Sequence, residues 1–397
     1  MLWSAEVGRS NLLRVAWFVL MQKKPPHLVR LKSKLGSIAL LIVAGILFPL
    51  LIIELAAWIK PDLIPPEIKS SIFQVEPPFK AMVPDRELGY KFAPDLADFS
   101  VSLENNSFTY TISTVSLGYD EIGFRDDGVE GDPYAVVIGD SFANCAGVEL
   151  DACWVELFES ETNKDFVNLS VLGYTPQQEY RMLVEYGLPL EPELVLWVFY
   201  ANDVKDAWRF HYFGSGAARA GEFWESPLKS WLAQHSAVYT TLSFFWYNRY
   251  FFSQLGRAGG AGAPNSPEEI WWLANTDLTI PELVEGFALT QATILAANKQ
   301  TTANGSNSKF MVVILPFREQ VYGDPKLHPR FDSLNETLMD FLRQNEIAAV
   351  DLTTALREKA KRESAPLYFS QDIHLNERGN RIVAELLQQQ LESVIAP

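Results

Sequence analysis

The apolar run from Ser37 to Ile59 is the feature that most constrains how this chain can fold. It contains a single charged residue, Glu54, close to its distal end. A helix rises about 1.5 Å per residue, so about twenty apolar residues cross a hydrocarbon core of about 30 Å. Pro49 would bend such a helix, which a spanning segment tolerates. We therefore predict a transmembrane helix over residues 37–59, rather than a cleaved signal peptide or a buried core helix.

The charges that flank this run predict its orientation. Residues 1–36 carry seven Lys or Arg residues and one acidic residue, a net charge of +6. Directly after the run, Lys60 is followed by Asp62 and Glu67. By the positive-inside rule, residues 1–36 are a cytoplasmic basic tail and everything after residue 60 lies outside. The predicted location is the cell membrane, crossed once.

The rest of the chain is acidic and poor in metal ligands. Because the whole chain has a formal charge of −16 and its first 36 residues contribute +6, the remainder carries −22. Such a surface repels phosphate backbones, which excludes nucleic acid as an expected partner. There are two cysteines, Cys145 and Cys153, and no C-x-x-C or H-E-x-x-H pattern, so no structural zinc site is expected. The two cysteines either form a disulfide in an oxidising compartment or stay as buried thiols.

The chain after the apolar run divides into two parts. Residues 60–132 are predicted to be an extracytoplasmic linker and β-hairpin extension. Prolines make residues 60–80 a stiff linker, and residues 99–115 alternate apolar and polar side chains around an Asn105-Asn106 turn. From residue 133 to 397, short apolar runs alternate with helical stretches. That pattern predicts an α/β three-layer domain, in which helices cover both faces of a parallel sheet.

Five strands and a closing helix are predicted for residues 133–397. The predicted strands are Tyr134 to Ile138, Phe166 to Leu169, Leu194 to Tyr200, Phe310 to Leu315 and Ala348 to Leu352, and the helix runs from Glu377 to Ser393. Between the third and fourth strands lies an aromatic-rich insertion at about residues 207–300, including a Gly/Ala/Pro-rich loop at 256–269. The insertion could pack as a small helical subdomain, cover a site as a lid, or contact the bilayer.

Chemically capable side chains follow these strands. Gly139-Asp140-Ser141 ends the first strand, where the sites of parallel sheets form, and Ser141 precedes a predicted helix whose free N–H groups could stabilise an oxyanion. Taken alone, Asp and Ser at this position are ordinary helix caps. Gly173 follows the second strand and Asn202 the third, while Asp372 and His374 precede the last helix. Each has an alternative as a turn, cap or surface residue, but this order on this scaffold predicts a single site.

These motifs resemble the SGNH/GDSL hydrolase superfamily, whose four blocks supply Ser, Gly, Asn and His in that order. The resemblance covers about residues 133–395 and implies a flavodoxin-like sheet with ester-cleaving or acyl-transferring chemistry. It implies that Ser141 is the nucleophile, with His374 and Asp372 completing a catalytic triad. It further implies an oxyanion hole formed by Ser141, Gly173 and Asn202. No metal and no organic cofactor are implied.

Further segments resemble the bacterial membrane-anchored branch of this superfamily. They are DRELGYKFAPD at 85–95, SLGYDEIGFRDD at 116–127 and LPFREQVYGD at 315–324. Only Ile373 separates Asp372 from His374, whereas much of the superfamily has two residues there. The shorter spacing resembles proteins that acetylate exopolysaccharides, and it leaves open whether Asp372 or another acceptor orients His374.

The expected function is that of an extracytoplasmic, membrane-anchored serine esterase. It would remove acyl groups, acetyl above all, from carbohydrate or lipid esters. One alternative is an O-acetyltransferase in exopolysaccharide or cell-envelope assembly, which would need a membrane-bound protein as acetyl donor. Another is a non-catalytic SGNH-like protein that binds glycan or a partner.

Overall fold

The structure, a computed structural model, describes residues 48–60, 81–85, 87–102, 109–128, 131–213, 276–303, 308–323, 332–370 and 372–395, together with the single positions 45, 232, 236–239 and 242. The chain divides into two compact units, Met1–Leu63 and Ile64–Pro397. They are described separately below.

In the first unit, residues 48–59 form a helix. Its large apolar side chains are exposed, as in Phe48 (64%) and Ile59 (69%). Of the helices formed by described residues, none combines the length and the apolar character needed to cross a membrane. Most of the N-terminal half of the predicted span over residues 37–59 lies outside the described residues, so the spanning helix stays a prediction.

A five-stranded parallel sheet organises the second unit. Its strands are β5 (Ala135–Ile138), β6 (Phe166–Asn168), β7 (Leu194–Phe199), β8 (Lys309–Ile314) and β9 (Ala348–Asp351). All five predicted strands are therefore present, to within a residue or two at each end. Their spatial order is β6-β5-β7-β8-β9, and every neighbouring pair is parallel. This is the flavodoxin-like order 2-1-3-4-5, as the resemblance implied.

Eight helices are described around this sheet. They are α1 (Trp154–Thr162), α2 (Pro176–Met182), α3 (Asn202–Phe213), α4 (Pro281–Ala303), α5 (Arg318–Tyr322), α6 (Ser333–Gln344), α7 (Thr353–Arg362) and α8 (Glu377–Ile395). All residues of β5 and β7 are buried. Because successive side chains of a strand point to opposite faces, both faces of the sheet are covered. Helix α4 packs on α3, and α8 packs on α1.

Two short antiparallel hairpins precede the sheet. Strands β1 (Met82–Asp85) and β2 (Gly89–Phe92) form the first, and β3 (Phe99–Ser102) and β4 (Thr109–Ile112) form the second. The second is the hairpin predicted for residues 99–115, although its Asn105-Asn106 turn lies outside the described residues. Apolar side chains of both hairpins belong to the same buried cluster as the sheet. The extension therefore shares its core with the domain that follows.

Several predicted segments lie outside the described residues. They are the basic tail at 1–36, the proline-rich linker after Lys60, the Gly/Ala/Pro-rich loop at 256–269 and most of the aromatic-rich insertion. Helices α3 and α4 lie at the two ends of that insertion and pack against each other. The carboxyl ends of β5, β6 and β7 are adjacent, so the loops that contain the predicted site residues meet at one edge of the sheet.

Candidate active site

The turn after β5 presents Ser141. The side chain of Asp140 accepts a hydrogen bond from the backbone N–H of Phe142 at 2.9 Å, which starts the turn in the manner of a helix cap. Gly139 leaves no room for a side chain, since a Cβ atom there would lie 2.8 Å from Ala143 Cβ. Asp140 and Phe142 are buried, whereas Ser141 is partly exposed. The local sequence therefore leaves the Ser141 hydroxyl accessible on a tightly packed base.

His374 is presented by the loop between α7 and α8. The backbone N–H of Phe369 donates to the carbonyl of His374 at 3.1 Å, and Tyr368 forms an antiparallel bridge with Leu375. Asn376 begins α8 by accepting the N–H of Gly379 at 3.0 Å. These contacts close the loop into a narrow, hydrogen-bonded structure. They fix the backbone on both sides of the imidazole.

Ser141, His374 and Asp372 form a continuous hydrogen-bonded chain. His374 Nε2 lies 2.8 Å from Ser141 Oγ, and His374 Nδ1 lies 2.5 Å from Asp372 Oδ1. Asp372 Oδ1 also accepts the backbone N–H of His374 at 2.9 Å. Burial alone would raise the pKa of Asp372, but the hydrogen bonds and charge of His374 outweigh it and hold that pKa below its ordinary value. The acceptor of the imidazole, left open by the one-residue spacing, is Asp372 in this structure.

Aromatic rings form the base of this hydrogen-bonded chain. The ring of Phe142 lies 5.0 Å from that of His374 and stacks on Tyr200 at 3.7 Å. Tyr200 in turn packs at 4.6 Å from Phe317. The side chain of His374 is only 14% exposed. One side of the imidazole therefore meets apolar surface, which strengthens its hydrogen bonds to Ser141 and Asp372.

Asn202 lies at the start of α3, beyond the neighbouring strand β7, with its amide held by two carboxyl groups. Its Nδ2 donates to Asp140 Oδ2 at 3.1 Å and to Asp206 Oδ2 at 3.2 Å. Burial raises the pKa of both Asp140 and Asp206. The amide has only two N–H bonds, so donation to an oxyanion requires one of them to be shared or released. Asp206 was not predicted from sequence, although its spacing of four residues from Asn202 on a helix places both on one face.

Gly173 is itself exposed but lies in a largely buried loop after β6, with its backbone in the left-handed region at φ +73°. Tyr90 from β2 contacts this loop, and its hydroxyl donates to the carbonyl of Leu172 at 2.9 Å. A Cβ atom at position 173 would lie 3.0 Å from the Tyr90 hydroxyl oxygen. Burial raises the pKa of Tyr90, and the charges of Asp206 and Asp140 raise it further. Tyr90 was missed in the sequence because β2 contributes it from more than eighty residues away.

One group of carboxylates in the described part of the chain could hold a cation. Asp127, Glu156 and Glu159 bring their oxygens within 4.8 Å of one another. Burial, followed by the neighbouring acidic charges, raises the pKa of Glu156 to about 9. Burial also raises the pKa of Glu159, to about 7. These carboxylates take no part in the hydrogen bonds among Ser141, His374 and Asp372. Exposed acidic groups often occur together without an ion.

The sequence left open whether the two cysteines are bonded to each other, and in the structure they are. Cys145 and Cys153 form a disulfide across eight positions of the chain. Cys145 lies four residues after Ser141, with its backbone at φ +57°. Cys153 directly precedes α1. The turn after Ser141 is therefore linked covalently to the first helix of the sheet.

Residues 271–396 match the family model for the SGNH hydrolase-like domain of the acetyltransferase AlgX. The match spans about a third of the chain and includes Asp372 and His374, whereas Ser141, Gly173 and Asn202 precede it. No curated protein matches the chain in sequence.

The solved structures that match this chain are distant from it in sequence. A member of the lipolytic G-D-S-L family from Veillonella parvula is 13% identical, with a TM-score of 0.37, over 64% of this chain and 96% of its own. The acetyl xylan esterase AlAXEase is 13% identical, with a TM-score of 0.36, over 65% and 99%. A catalytic mutant of Axe2, an acetylxylan esterase from Geobacillus stearothermophilus, is 14% identical, with a TM-score of 0.36, over 66% and 95%. These TM-scores are below 0.5, so the fold assignment rests on the observed strand order.

The family match and the flavodoxin-like strand order agree with the resemblance read from the sequence. Residues 271–396 are therefore similar to the SGNH hydrolase-like domain of the acetyltransferase AlgX, and they lie in a domain whose sheet has the flavodoxin-like strand order.

Proposed function

We propose that this protein forms an acyl-enzyme at Ser141, with His374 as general base and Asp372 as its orienting carboxylate. The observation that supports this most directly is the 2.8 Å contact between Ser141 Oγ and His374 Nε2. As Oγ attacks an ester carbonyl, the hydroxyl proton passes to Nε2. His374 then returns this proton to the departing alkoxide, and the acyl group stays on Ser141. Asp372 stabilises the imidazolium that forms between these two steps.

The tetrahedral oxyanion would be bound at the edge of the sheet. Its expected donors are the backbone N–H groups of Ser141 and Gly173 and the side-chain amide of Asn202. Donors of this kind contribute about 2.7–4 kcal/mol each in other enzymes. Because Asn202 donates to Asp140 and Asp206 at rest, the oxyanion would draw one N–H away from a carboxyl group. Because the pKa of both carboxyl groups is raised, each is protonated more readily than an ordinary aspartate. A protonated carboxyl group competes less strongly with the oxyanion for the N–H of Asn202.

The acyl-enzyme can pass its acyl group to one of two acceptors. Transfer to water makes the protein an esterase that removes acetyl groups from carbohydrate or lipid esters. Transfer to a sugar hydroxyl makes it an O-acetyltransferase, which the match to the AlgX domain favours. In both cases His374 removes the proton of the acceptor. Release of acetate from acetylated glycan in water identifies the esterase, and movement of acetyl from a donor ester onto glycan identifies the transferase.

The proposed setting is the outer face of a membrane. The support is the apolar run at 37–59, the basic residues before it and the exposed apolar side chains of the helix at 48–59. A transferase in this setting would receive acetyl groups from a membrane-bound partner. The orientation can be tested by fusing a reporter to the C-terminus. If a C-terminal reporter that functions only in the cytoplasm is active, the proposed topology is wrong.

The nucleophile is tested by labelling the full chain in detergent with a fluorophosphonate probe. Ser141→Ala should abolish labelling, because it removes the only oxygen that His374 Nε2 contacts among the described residues. Ser170→Ala is a matched control, since Ser170 follows the adjacent strand but hydrogen-bonds Asn168 instead of a histidine. Undiminished labelling of the Ser141→Ala variant would assign the nucleophile to another residue.

A further inference from the structure

The turn that follows Ser141 has its backbone carbonyls held by side chains from other elements. Five carbonyls accept such bonds. Phe142 O accepts Trp154 Nε1 at 3.1 Å, Ala143 O accepts Asn168 Nδ2 at 2.9 Å, Asn144 O accepts Arg125 Nη1 at 2.5 Å, Cys145 O accepts the same atom at 3.2 Å, and Val148 O accepts Arg125 Nη2 at 2.5 Å. Three of the five bonds therefore come from Arg125 alone.

Arg125 is buried and directs three of its four side-chain hydrogen bonds to this turn, while Nη2 also donates to the carbonyl of Thr111 at 3.5 Å. Its side chain is 1% exposed, and no carboxylate of the described residues lies within ion-pairing distance of it. The guanidinium instead lies 5.1 Å from the centre of the Tyr110 ring. Burying a charge without a carboxylate partner is costly unless its donors are satisfied. The planar, forked donors of arginine match several carbonyls at once, which a lysine amine cannot do as well.

The turn held by Arg125 is hydrogen-bonded directly to the backbone of Ser141. The N–H of Ala146 donates to the carbonyl of Ser141 at 2.9 Å, and the N–H of Asn144 donates to the carbonyl of Asp140 at 2.9 Å. Cys145 holds a left-handed backbone at φ +57°, a conformation that costs a non-glycine residue about 1 kcal/mol or more. Contacts that hold Cys145 in this conformation also fix the carbonyl end of the turn. A shift of that end would therefore move Ser141 relative to His374.

We propose that Arg125 is a positioning residue for the nucleophile. It holds the turn so that Ser141 Oγ stays within hydrogen-bonding distance of His374 and the Ser141 N–H stays aimed at the oxyanion. This inference rests on the proposed role of Ser141. It gives a task to the GFRDD segment, which lies outside the four superfamily blocks. The extension at residues 60–132 would thus supply a side chain that positions the nucleophile of the domain that follows.

The alternative is that Arg125 only stabilises the fold. The two readings differ in what happens to chemistry in protein that remains folded. A positioning role lowers kcat and the rate of fluorophosphonate labelling while KM for p-nitrophenyl acetate changes little, because misaligned reacting groups affect the transition state most. A purely structural role lowers the melting temperature and leaves the rate per folded molecule unchanged.

Arg125→Met and Arg125→Lys in the full chain separate these readings. Methionine keeps much of the volume and removes all donors, so labelling should slow by about 100-fold, the size expected of a displacement near 1 Å. Lysine keeps the charge and fewer of the bonds, so it should slow labelling by about tenfold and can decide the matter if the methionine variant does not fold. Hydrogen exchange of the amides at 142–146 should accelerate in the lysine variant.

Arg357→Met is the matched control. Arg357 is also largely buried, at 13% exposure, and donates to a backbone carbonyl, that of Gln320 at 2.9 Å, but it does not contact the turn after Ser141. The Arg357→Met variant should be less stable than the unaltered protein, while its folded fraction reacts with the fluorophosphonate probe at the normal rate. Labelling of folded Arg125→Lys within twofold of the unaltered chain would overturn the proposal. Persistent labelling of Ser141→Ala would instead refute the proposed nucleophile, so the two failures are distinguishable.

Discussion

Asp372→Asn tests whether the carboxylate beside His374 contributes its charge to the reaction. The contact is short, with Asp372 Oδ1 at 2.5 Å from the ring Nδ1, and Oδ1 also accepts the backbone N–H of His374. An asparagine can keep its carbonyl oxygen in that position and so keep both bonds. What it removes is the negative charge that faces the imidazolium when the Ser141 proton has moved.

The size of the effect follows from the surroundings of the pair. The side chains of His374 and Asp372 are only 14% and 24% exposed, which calls for an effective dielectric near the value of about 20 used for partly buried pairs. Two unit charges 4 Å apart then interact by about 4 kcal/mol. At 1.36 kcal/mol for each tenfold change in rate, kcat should fall by about 1,000-fold.

The assay is hydrolysis of p-nitrophenyl acetate together with the rate of fluorophosphonate labelling, both in the full chain at neutral pH. Asp351→Asn is a matched control, because Asp351 accepts the backbone N–H two residues ahead, that of Thr353, at 2.8 Å, as Asp372 does for His374. The control should keep nearly full activity. A loss below tenfold in Asp372→Asn would refute the assignment and indicate that another group stabilises the imidazolium.

The lowered pKa of Asp372 also has a consequence for stability. Its folded-state pKa lies below the ordinary value of about 3.9, so its contribution to stability is present above that value and is lost as the pH falls through the folded-state pKa. Asp372→Asn should therefore lower the free energy of unfolding at pH 7. The difference should shrink as the pH falls through the folded-state pKa, because the native carboxyl group then becomes protonated as well.

Three further perturbations have defined outcomes. Reducing the Cys145–Cys153 bridge should lower the free energy of unfolding by about 2.5 kcal/mol in urea titrations, since it closes a short loop; unchanged stability would contradict this. Gly173→Ala should cost about 1–2 kcal/mol, because φ is +73° and the new Cβ approaches Tyr90; a melting temperature at or above that of the parent would be inconsistent with this geometry. Glu156 has a pKa raised from 4.5 to about 9, so folded protein retains a proton that the unfolded chain releases, and stability falls as pH rises across that window. Glu156→Gln should flatten the decline in melting temperature, measured with EDTA present to remove any bound cation.

The sheet could be predicted because its signal is local. Each strand is a short, continuous apolar run such as Leu194–Phe199, and complete burial on both faces permits no alternation with polar residues. The site loops could be placed for a related reason, since the ends of parallel strands meet at one edge. Ser141 and His374 are 233 positions apart, yet both follow from the order of strands and the last helix.

The supporting contacts could not be predicted, because they depend on distances that sequence spacing does not encode. Arg125 reads as one charge in an acidic segment until the fold brings it to the carbonyls of 144–148. Tyr90 likewise contacts Leu172 only after the hairpin packs on the sheet. The disulfide could not be predicted because a separation of eight residues permits both bonded and free cysteines. Asp206 is different, since its spacing of four residues from Asn202 on a predicted helix is enough to place the two side chains on one face.

The shared core of the hairpin extension and the sheet determines where the chain can be cut. Gln178 Nε2 donates to the carbonyl of Leu88 at 2.6 Å, and the Tyr174 hydroxyl donates to the carbonyl of Tyr90 at 2.6 Å. A fragment beginning at residue 133 would leave these donors and the surrounding apolar side chains in water. Truncations designed for crystallisation or enzymology should therefore start ahead of residue 81, and residues 81–395 should melt in one transition.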